Sequence, residues 1–326
     1  MECNLQTLQG FLLKGCADPH IDSKEWIIQR KHVLRELQAL PLEYKVLITE
    51  SLVLNAVHTF GAEHLYISFS GGKDSTVLSH VIRKFYPQIL HLFADTSCEY
   101  PETISFVKEM KASGININVV VPTDRSGAQW TFDRVVSELG YPVFSKAVAN
   151  GIRTYRHAKT DVTKQNSIEY MTRRFPSYLP YLSYPISDLC CEKLKKGPLK
   201  RAARIAGMKC SIIGTLAEES QTRERDWLRN GSNIFFIKAD NQCRPLSFWT
   251  EKDIWDYIKR FNVPIAHLYS KGFERNGCMY CGFGVKSEKK RLGINRFERL
   301  RFTHPQEYLH LVSRFANILD ACKIEY

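Results

Sequence analysis

The 326-residue chain contains no uninterrupted apolar run of 18 residues, which excludes a membrane-spanning helix of ordinary length. It also lacks a basic-then-apolar leader ending in a small-residue cleavage site, so a soluble, cytoplasmic protein with no membrane partner is expected. Low-complexity tracts are missing, and 44% hydrophobic with 25% charged residues is the composition of a folded chain. The glycine-bearing turn at 68–75 satisfies neither GxxxxGK[ST] nor GxGxxG, which excludes the ordinary mononucleotide and dinucleotide loops. Cysteine is not scarce. Without a leader, however, the ten cysteines read as reduced thiols and not as an extracellular disulfide framework.

The turn itself is the most informative segment. Ser-Phe-Ser-Gly-Gly-Lys-Asp-Ser lies between an apolar strand candidate at 65–69 and a helix candidate at 75–85, so converging backbone N–H groups can receive an anion. Gly71 and Gly72 permit turn dihedrals and close approach of phosphate oxygens. Ser70, Ser75 and Thr76 add hydroxyls, Lys73 a cation, and Asp74 a carboxylate for Mg²⁺ or for orienting the lysine. Nucleotide chemistry is the leading expectation.

Around it, strands expected at 65–69, 89–93 and 116–121 alternate with helices at 75–85 and 102–113, punctuated by Pro87 and Gly114. The fold class is therefore α/β, a mostly parallel sheet with helices on both faces and a cysteine-containing C-terminal region. Ligands of such sheets bind outside the carboxyl ends of the strands, where both the turn and Asp95 would lie. A peripheral helical segment is expected over 1–60, the nucleotide-binding domain over 61–260 and a basic, cysteine-containing region over 261–326. The tyrosine-, proline- and arginine-rich stretch 141–189 reads equally as a substrate lid or an ordered surface excursion. Beyond it come a helix at 192–206, strands at 209–214 and 234–237, and a helix starting near Glu251 with Thr250 and Asp253 as its capping box.

Two cysteine pairs, Cys190–Cys191 and Cys278–Cys281, stand 87 residues apart from Cys191 to Cys278, far enough for the fold to bring them together. Soft thiolates suit zinc or iron–sulfur chemistry, and spacing alone does not choose between the two. Cys210 reads as a buried core residue; Cys98, following the strand-end Asp95, is a candidate neighbour of the ligand, Cys243 and Cys322 read as accessory ligands or reactive thiols, none is assigned as catalytic, and Cys3 and Cys16 have no functional assignment. The net charge of +12 includes basic segments at 286–291 and 296–301, which suit a nucleic-acid backbone or a solvated face.

The series SFSGGKDSTVL, FADTSCEYPET, DLCCEKLKKGPL, GTLAEESQTRERDW, PLSFWTEKDIWDYI and NGCMYCG resembles, in order, the phosphoadenosine-phosphosulfate reductase family of the adenine-nucleotide alpha hydrolase superfamily. The resemblance implies that Ser70 to Ser75 hold pyrophosphate, with Asp95 beside the nucleotide. It makes Lys73, Asp74 and Arg223 the catalytic candidates and adds Arg225 to the nucleotide-binding set. It also implies that Cys190, Cys191, Cys278 and Cys281 ligate a [4Fe-4S] cluster, with Lys196 matching the basic residue that follows the cysteine pair.

Two departures shape the functional expectation. Reductases of the cluster-bearing branch carry a C-terminal nucleophilic cysteine in a Glu-Cys-Gly segment, whereas this chain ends Asp-Ala-Cys-Lys-Ile-Glu-Tyr, leaving Cys322 as the only counterpart. Reductases also alter the SGGKDS loop, which here is intact. The expectation is an enzyme that splits ATP with Mg²⁺, adenylates an acceptor, for which a nucleic acid is the candidate, and transfers sulfur from a donor protein. The alternatives are a sulfonucleotide reductase needing a reducing partner, and a nonenzymatic protein that senses nucleotide and cluster.

Overall fold

The computed structural model describes residues 23–235 and 240–326; Cys3, Cys16 and the far end of the strand expected at 234–237 fall outside them. Helices α1 (Lys24–Ala39) and α2 (Leu42–Phe60) occupy the first two apolar-periodic stretches, with the Ser23 hydroxyl capping α1 by accepting the Trp26 N–H at 3.2 Å. β1 (Leu65–Phe69), α3 (Lys73–Arg83), β2 (Leu90–Ala94), α4 (Pro101–Ala112) and β3 (Ile117–Val120) follow, within about two residues of the expected limits. Next come α5 (Phe132–Leu139), β4 (Val143–Phe144), α6 (Lys146–Arg156) and α7 (Asp161–Arg174). Then come α8 (Gly197–Ile205), β5 (Cys210–Ile212), α9 (Gln221–Asn230), β6 (Asn233–Ile234), β7 (Asn241–Cys243) and α10 (Glu251–Phe261). Last are β8 (Gly282–Phe283), α11 (Val285–Leu292), α12 (Arg296–Thr303) and α13 (Pro305–Ala321).

The chain divides into two compact units. The first gathers the described residues up to Phe93, with Glu102–Val120 and Leu199–His267. Its six-stranded sheet has the order β3-β2-β1-β5-β7-β6, in which β1 runs parallel to β2 and β5, β5 parallel to β7, and β6 antiparallel to β7. This is the expected α/β class. Leu65, Ile67 and Phe69 of β1 and Val77, Leu78, Val81 and Ile82 of α3 are all buried, as a strand inside a sheet and the helix covering it require. Strand order reverses at β1, with β2 on one side and β5 on the other, so the carboxyl end of β1 is the crevice where such sheets bind ligands.

The second unit comprises Ala94–Pro101, Val121–Pro198 and Leu268–Tyr326. It contains the parallel pair β4–β8, in which Phe144 faces Phe283 in register. The stretch whose path the sequence left open forms two packed helices, α6 and α7, and then a tyrosine-rich turn. Tyr178 and Tyr181 close on the Phe144 ring at 4.8 and 4.9 Å.

The helix expected at 192–206 differs in its first turn, which is π-helical over Glu192–Lys196, with the Gly197 N–H bonded to the Glu192 carbonyl. Pro198 has no N–H to continue an α ladder, and a Cβ at Gly197 would stand 2.9 Å from that carbonyl, so glycine admits the wider turn.

In the first unit, the Lys45 ammonium, 1% exposed, donates to Asp253 Oδ2 at 2.6 Å and to the Gln38 carbonyl at 2.7 Å. The same carboxylate accepts the Thr250 N–H and hydroxyl, each at 2.7 Å, completing the expected capping box of α10. Asp253→Ala should therefore lower unfolding stability by about 3–5 kcal/mol, because it strands a buried ammonium. Urea denaturation measures this, and a loss below about 1 kcal/mol would show that the pair is solvated.

Candidate functional site

The turn after β1 has the geometry of a tight glycine loop opening a helix. Gly71 adopts a left-handed conformation (φ +70°), and Gly72 caps α3 without a side chain of its own. Ser70 Oγ accepts the Gly72 N–H at 3.3 Å and pairs with Ser75 Oγ at 3.0 Å, while the Ser75 and Thr76 hydroxyls both donate to the Gly72 carbonyl at 2.9 Å. Hydroxyl bonds thus fix the loop's shape at the N-terminus of an 11-residue helix, whose dipole favours negative charge.

Lys73 is buried. Its ammonium lies 3.1 Å from Asp74 Oδ1 and 3.4 Å from Glu251 Oε1. Burial lifts the Asp74 carboxyl above its ordinary pKa, with Lys73 pulling it back down and Glu219 and Glu251 adding to the rise. Glu251 is a site residue that the sequence disclosed only as the first residue of a helix. Gly214, just past β5, is a second: a Cβ there would sit 3.0 Å from the Asp74 carbonyl oxygen and 3.2 Å from the Ser75 nitrogen.

A cavity of about 180 Å³ in the same unit is lined by Thr215, Arg223, Asp226, Gln242, Arg244 and Ser247 among others. Arg223 pairs with Glu219, and Arg244 with Asp226 and with Gln242 Oε1 at 2.9 Å. Arg225 is exposed on α9 and is not among the lining residues; two positions along a helix from Arg223, it points to another side. Arg244 is the arginine that sequence reasoning missed, since it lies in no helix or strand pattern that marks it.

The second unit gathers the thiols. Cys190 and Cys191 have sulfurs 4.0 Å apart, and Cys190 feels the charges of Cys191, Cys281 and Cys278. The hydrogen bond from Cys190 holds Cys191 below the ordinary thiol pKa, assisted by Lys146, Lys195 and Lys196. A bond from Cys98 likewise lowers Cys278, with Lys195 assisting, while burial pushes Cys281 up to about 12. Among the described residues, no three His, Cys, Asp or Glu side chains are grouped as ligands of a single metal ion.

Asp95 directly follows β2, and its carboxylate accepts the Ser97 N–H at 3.1 Å. Ser97 has φ +62°, which turns the chain so that Cys98 is buried with its sulfur 3.1 Å from Thr96 Oγ1 and its carbonyl accepting the Met279 N–H at 2.8 Å. Glu99 accepts Thr96 N–H and Oγ1 at 2.8 and 2.7 Å and pairs with Lys195 at 3.3 Å. Lys195, Glu99 and Cys98 are neighbours of the cysteine centre that spacing alone did not mark. Cys322 caps the end of α13, fully buried, with burial pushing its thiol up to about 11.

Residues 64–282, roughly two thirds of the chain, match the phosphoadenosine phosphosulfate reductase domain. The protein belongs to this family. An uncharacterized protein of Methanocaldococcus jannaschii is 27% identical over 76% of this chain, which spans about half (47%) of that relative's length. The adenosine 5'-phosphosulfate reductase of Lysinibacillus sphaericus is 25% identical over 68% of this chain and 74% of its own. The phosphoadenosine 5'-phosphosulfate reductase of Gloeobacter violaceus is 25% identical over 74% and 80%. Among solved structures, the phosphoadenylyl-sulfate reductase of Candida auris aligns at 18% identity and a TM-score of 0.46, covering 78% of this chain and 95% of that one. The U34-tRNA thiolase NcsA of Methanococcus maripaludis, with its [4Fe-4S] cluster, aligns at 14% and 0.39, covering 93% and 82%. The family consists of enzymes acting through a nucleotide-binding α/β fold.

Gly214→Ala tests the loop's tolerance. The added methyl must push the Asp74–Ser75 backbone by a few tenths of an ångström, so Mg²⁺-ATP binding measured by calorimetry should weaken about tenfold with the thermal midpoint nearly unchanged. Unaltered affinity would show that the loop backbone does not set phosphate binding.

Proposed function

We propose that the protein is an ATP-splitting, adenylating sulfur-transfer enzyme whose acceptor is a nucleic acid. The observation that carries this reading is the loop after β1, an intact SGGKDS turn that keeps a buried ammonium at a helix N-terminus. Ser70, Gly71, Gly72 and Ser75 would hold the β- and γ-phosphates, and Asp74 would hold Mg²⁺. An acceptor oxygen attacks the α-phosphorus, the α–β anhydride bond breaks, and pyrophosphate leaves as Lys73 offsets its charge. Sulfur at the hydrosulfide level then forms a bond to the activated carbon while AMP departs with the oxygen. Asp95, Arg223 and Arg225 belong to the nucleotide side of this reading.

The four thiols fit an iron–sulfur cluster by donor chemistry: they are soft ligands, with Cys191 and Cys278 held toward thiolate. Cys190, Cys191, Cys278 and Cys281 would hold a [4Fe-4S] cluster, which when bound supplies an iron site for carrying sulfur. Lys195 and the Cys98 S–H would keep negative charge on Cys278.

The second reading, sulfonucleotide reduction to sulfite, draws on the reductase names of several relatives. It needs an accessible, low-pKa thiol, and Cys322 is buried with a raised pKa.

Mg²⁺-dependent ATP–pyrophosphate exchange, assayed anaerobically with candidate acceptor nucleic acids, should fall about 10²- to 10³-fold in Lys73→Ala while the fold is retained. Exchange at the wild-type rate would remove Lys73 from the chemistry, and sulfite formation from adenylyl sulfate that depends on Cys322 would favour the reductase. Anaerobically reconstituted protein should contain about four iron and four acid-labile sulfide per chain, with both lost in Cys281→Ser. Stoichiometric zinc without sulfide would refute the cluster.

A further inference from the structure

The C-terminal basic segments that suggested a nucleic-acid contact are largely engaged within their own unit. Lys289 pairs with Glu298 and Glu325, Arg291 with Glu274, Arg296 with Glu288, and Arg299 donates to the Gly272 carbonyl. A cation already neutralised by a carboxylate releases few counterions from a phosphate backbone. Lys286, Lys290 and Arg301 of these segments are exposed without an ion pair among the described residues, and a larger set of such cations lies elsewhere in that unit.

Residues 146–174 carry seven lysines and arginines against two carboxylates, a large share of the chain's net charge of +12. They form the antiparallel hairpin of α6 and α7. Gly151 lets the two helices pack closely, since a Cβ there would meet Met171 Sδ at 2.3 Å, and Ser167 Oγ donates to the Gly151 carbonyl at 3.1 Å. Of the seven cations, Arg153 is spent on Asp188 at 2.7 Å. Arg156, Lys159, Arg173 and Arg174 are exposed and form no ion pair among the described residues. Arg156 and Lys159 sit at the tip and Arg173 and Arg174 at the base, about 16 Å apart along an 11-residue helix.

The hairpin also carries aromatic and neutral polar groups. Tyr155 has the Lys164 ammonium over its ring at 5.2 Å, Tyr170 is 37% exposed, and Asn166 and Thr172 are exposed between the cations. Tyrosine and arginine planes stack on unpaired bases, and neutral donors and acceptors engage 2′-hydroxyls. At its base the hairpin leaves β4, which pairs with β8, the strand directly after Cys281; Asp188, which holds Arg153, lies two residues before Cys190. A strand bound along the hairpin runs toward the cysteine centre.

We propose that the α6–α7 hairpin is an RNA-docking surface for an unpaired stretch of RNA, held by Arg156, Lys159, Arg173 and Arg174. This rests on the sulfur-transfer reading and names where its acceptor docks.

The test is fluorescence anisotropy of the full chain with a labelled single-stranded RNA, the DNA of the same sequence and the corresponding duplex, over a salt series. The variant with Arg156, Lys159, Arg173 and Arg174 all changed to Gln should bind the RNA at least tenfold more weakly. The magnitude of its log K against log[salt] slope should fall by about 3, four contacts at about 0.7 each. Changing the three arginines to Lys instead keeps the charge and should leave affinity within about threefold. Gln at Lys289, Lys290 and Arg291 should leave the slope within about one unit of wild type. An unchanged slope in the hairpin variant, equal weakening in the C-terminal variant, or single-stranded DNA or duplex bound as tightly as RNA would overturn the proposal. Absence of any RNA binding in a wild-type protein that still exchanges pyrophosphate with another acceptor present would overturn the hairpin while leaving the ATP chemistry standing; hairpin-dependent RNA binding without exchange would do the reverse.

Discussion

One buried ammonium governs the nucleotide side of this protein. An isolated charge out of water is untenable, so Lys73 requires the carboxylates of Asp74 and Glu251. Those two come from different places in the chain, one inside the loop and one from the start of α10, whose own position is fixed by the Lys45–Asp253 pair below it. The geometry of the phosphate loop is thus tied to a helix about 180 residues later in the chain. On the proposed reading, phosphate oxygens would replace those carboxylates as the counter-charge, and the lysine would stay neutralised throughout.

Local signals made most of the first unit legible. Apolar periodicity, one proline and one glycine sufficed for β1 to β3 and the helices between them, because each element's burial pattern is written in its own residues. Thr250 and Asp253 disclosed the start of α10 for the same reason: a capping box is a contact across three residues. Glu251, Gly214 and Arg244 were not legible as site residues. Their roles arise from contacts with segments far along the chain, and nothing within a few positions of each records them.

The second unit was less readable because its elements are short. β4 and β8 have two residues each, too few for alternation to register, and α7 is exposed over most of its length, so it lacks an apolar stripe. What holds this region is tyrosine packing on Phe144 and the Gly151–Met171 contact, neither of which has a spacing rule. The cysteine pairs were visible as candidates. Their setting was not: Cys98, Glu99 and Lys195 gather around Cys278 only once the Asp95–Cys98 turn and the Glu192–Lys196 turn are formed.

Charge is where sequence and structure part most instructively. Counted along the chain, 286–301 and 146–174 are both basic, and nothing in the composition separates them. Folding separates them, because Lys289, Arg291 and Arg296 of the first stretch meet Glu274, Glu288, Glu298 and Glu325, whereas among the described residues only Arg153 of the second forms an ion pair, with Asp188. A polyanion responds to unneutralised charge and to the counterions it can release, not to the count of lysines and arginines. Arg156, Lys159, Arg173 and Arg174 stay out of ion pairs among the described residues, and the hairpin's interior is closed by small and apolar contacts. A helix pair cemented by salt bridges would have been as stable and would have offered far less to a phosphate backbone.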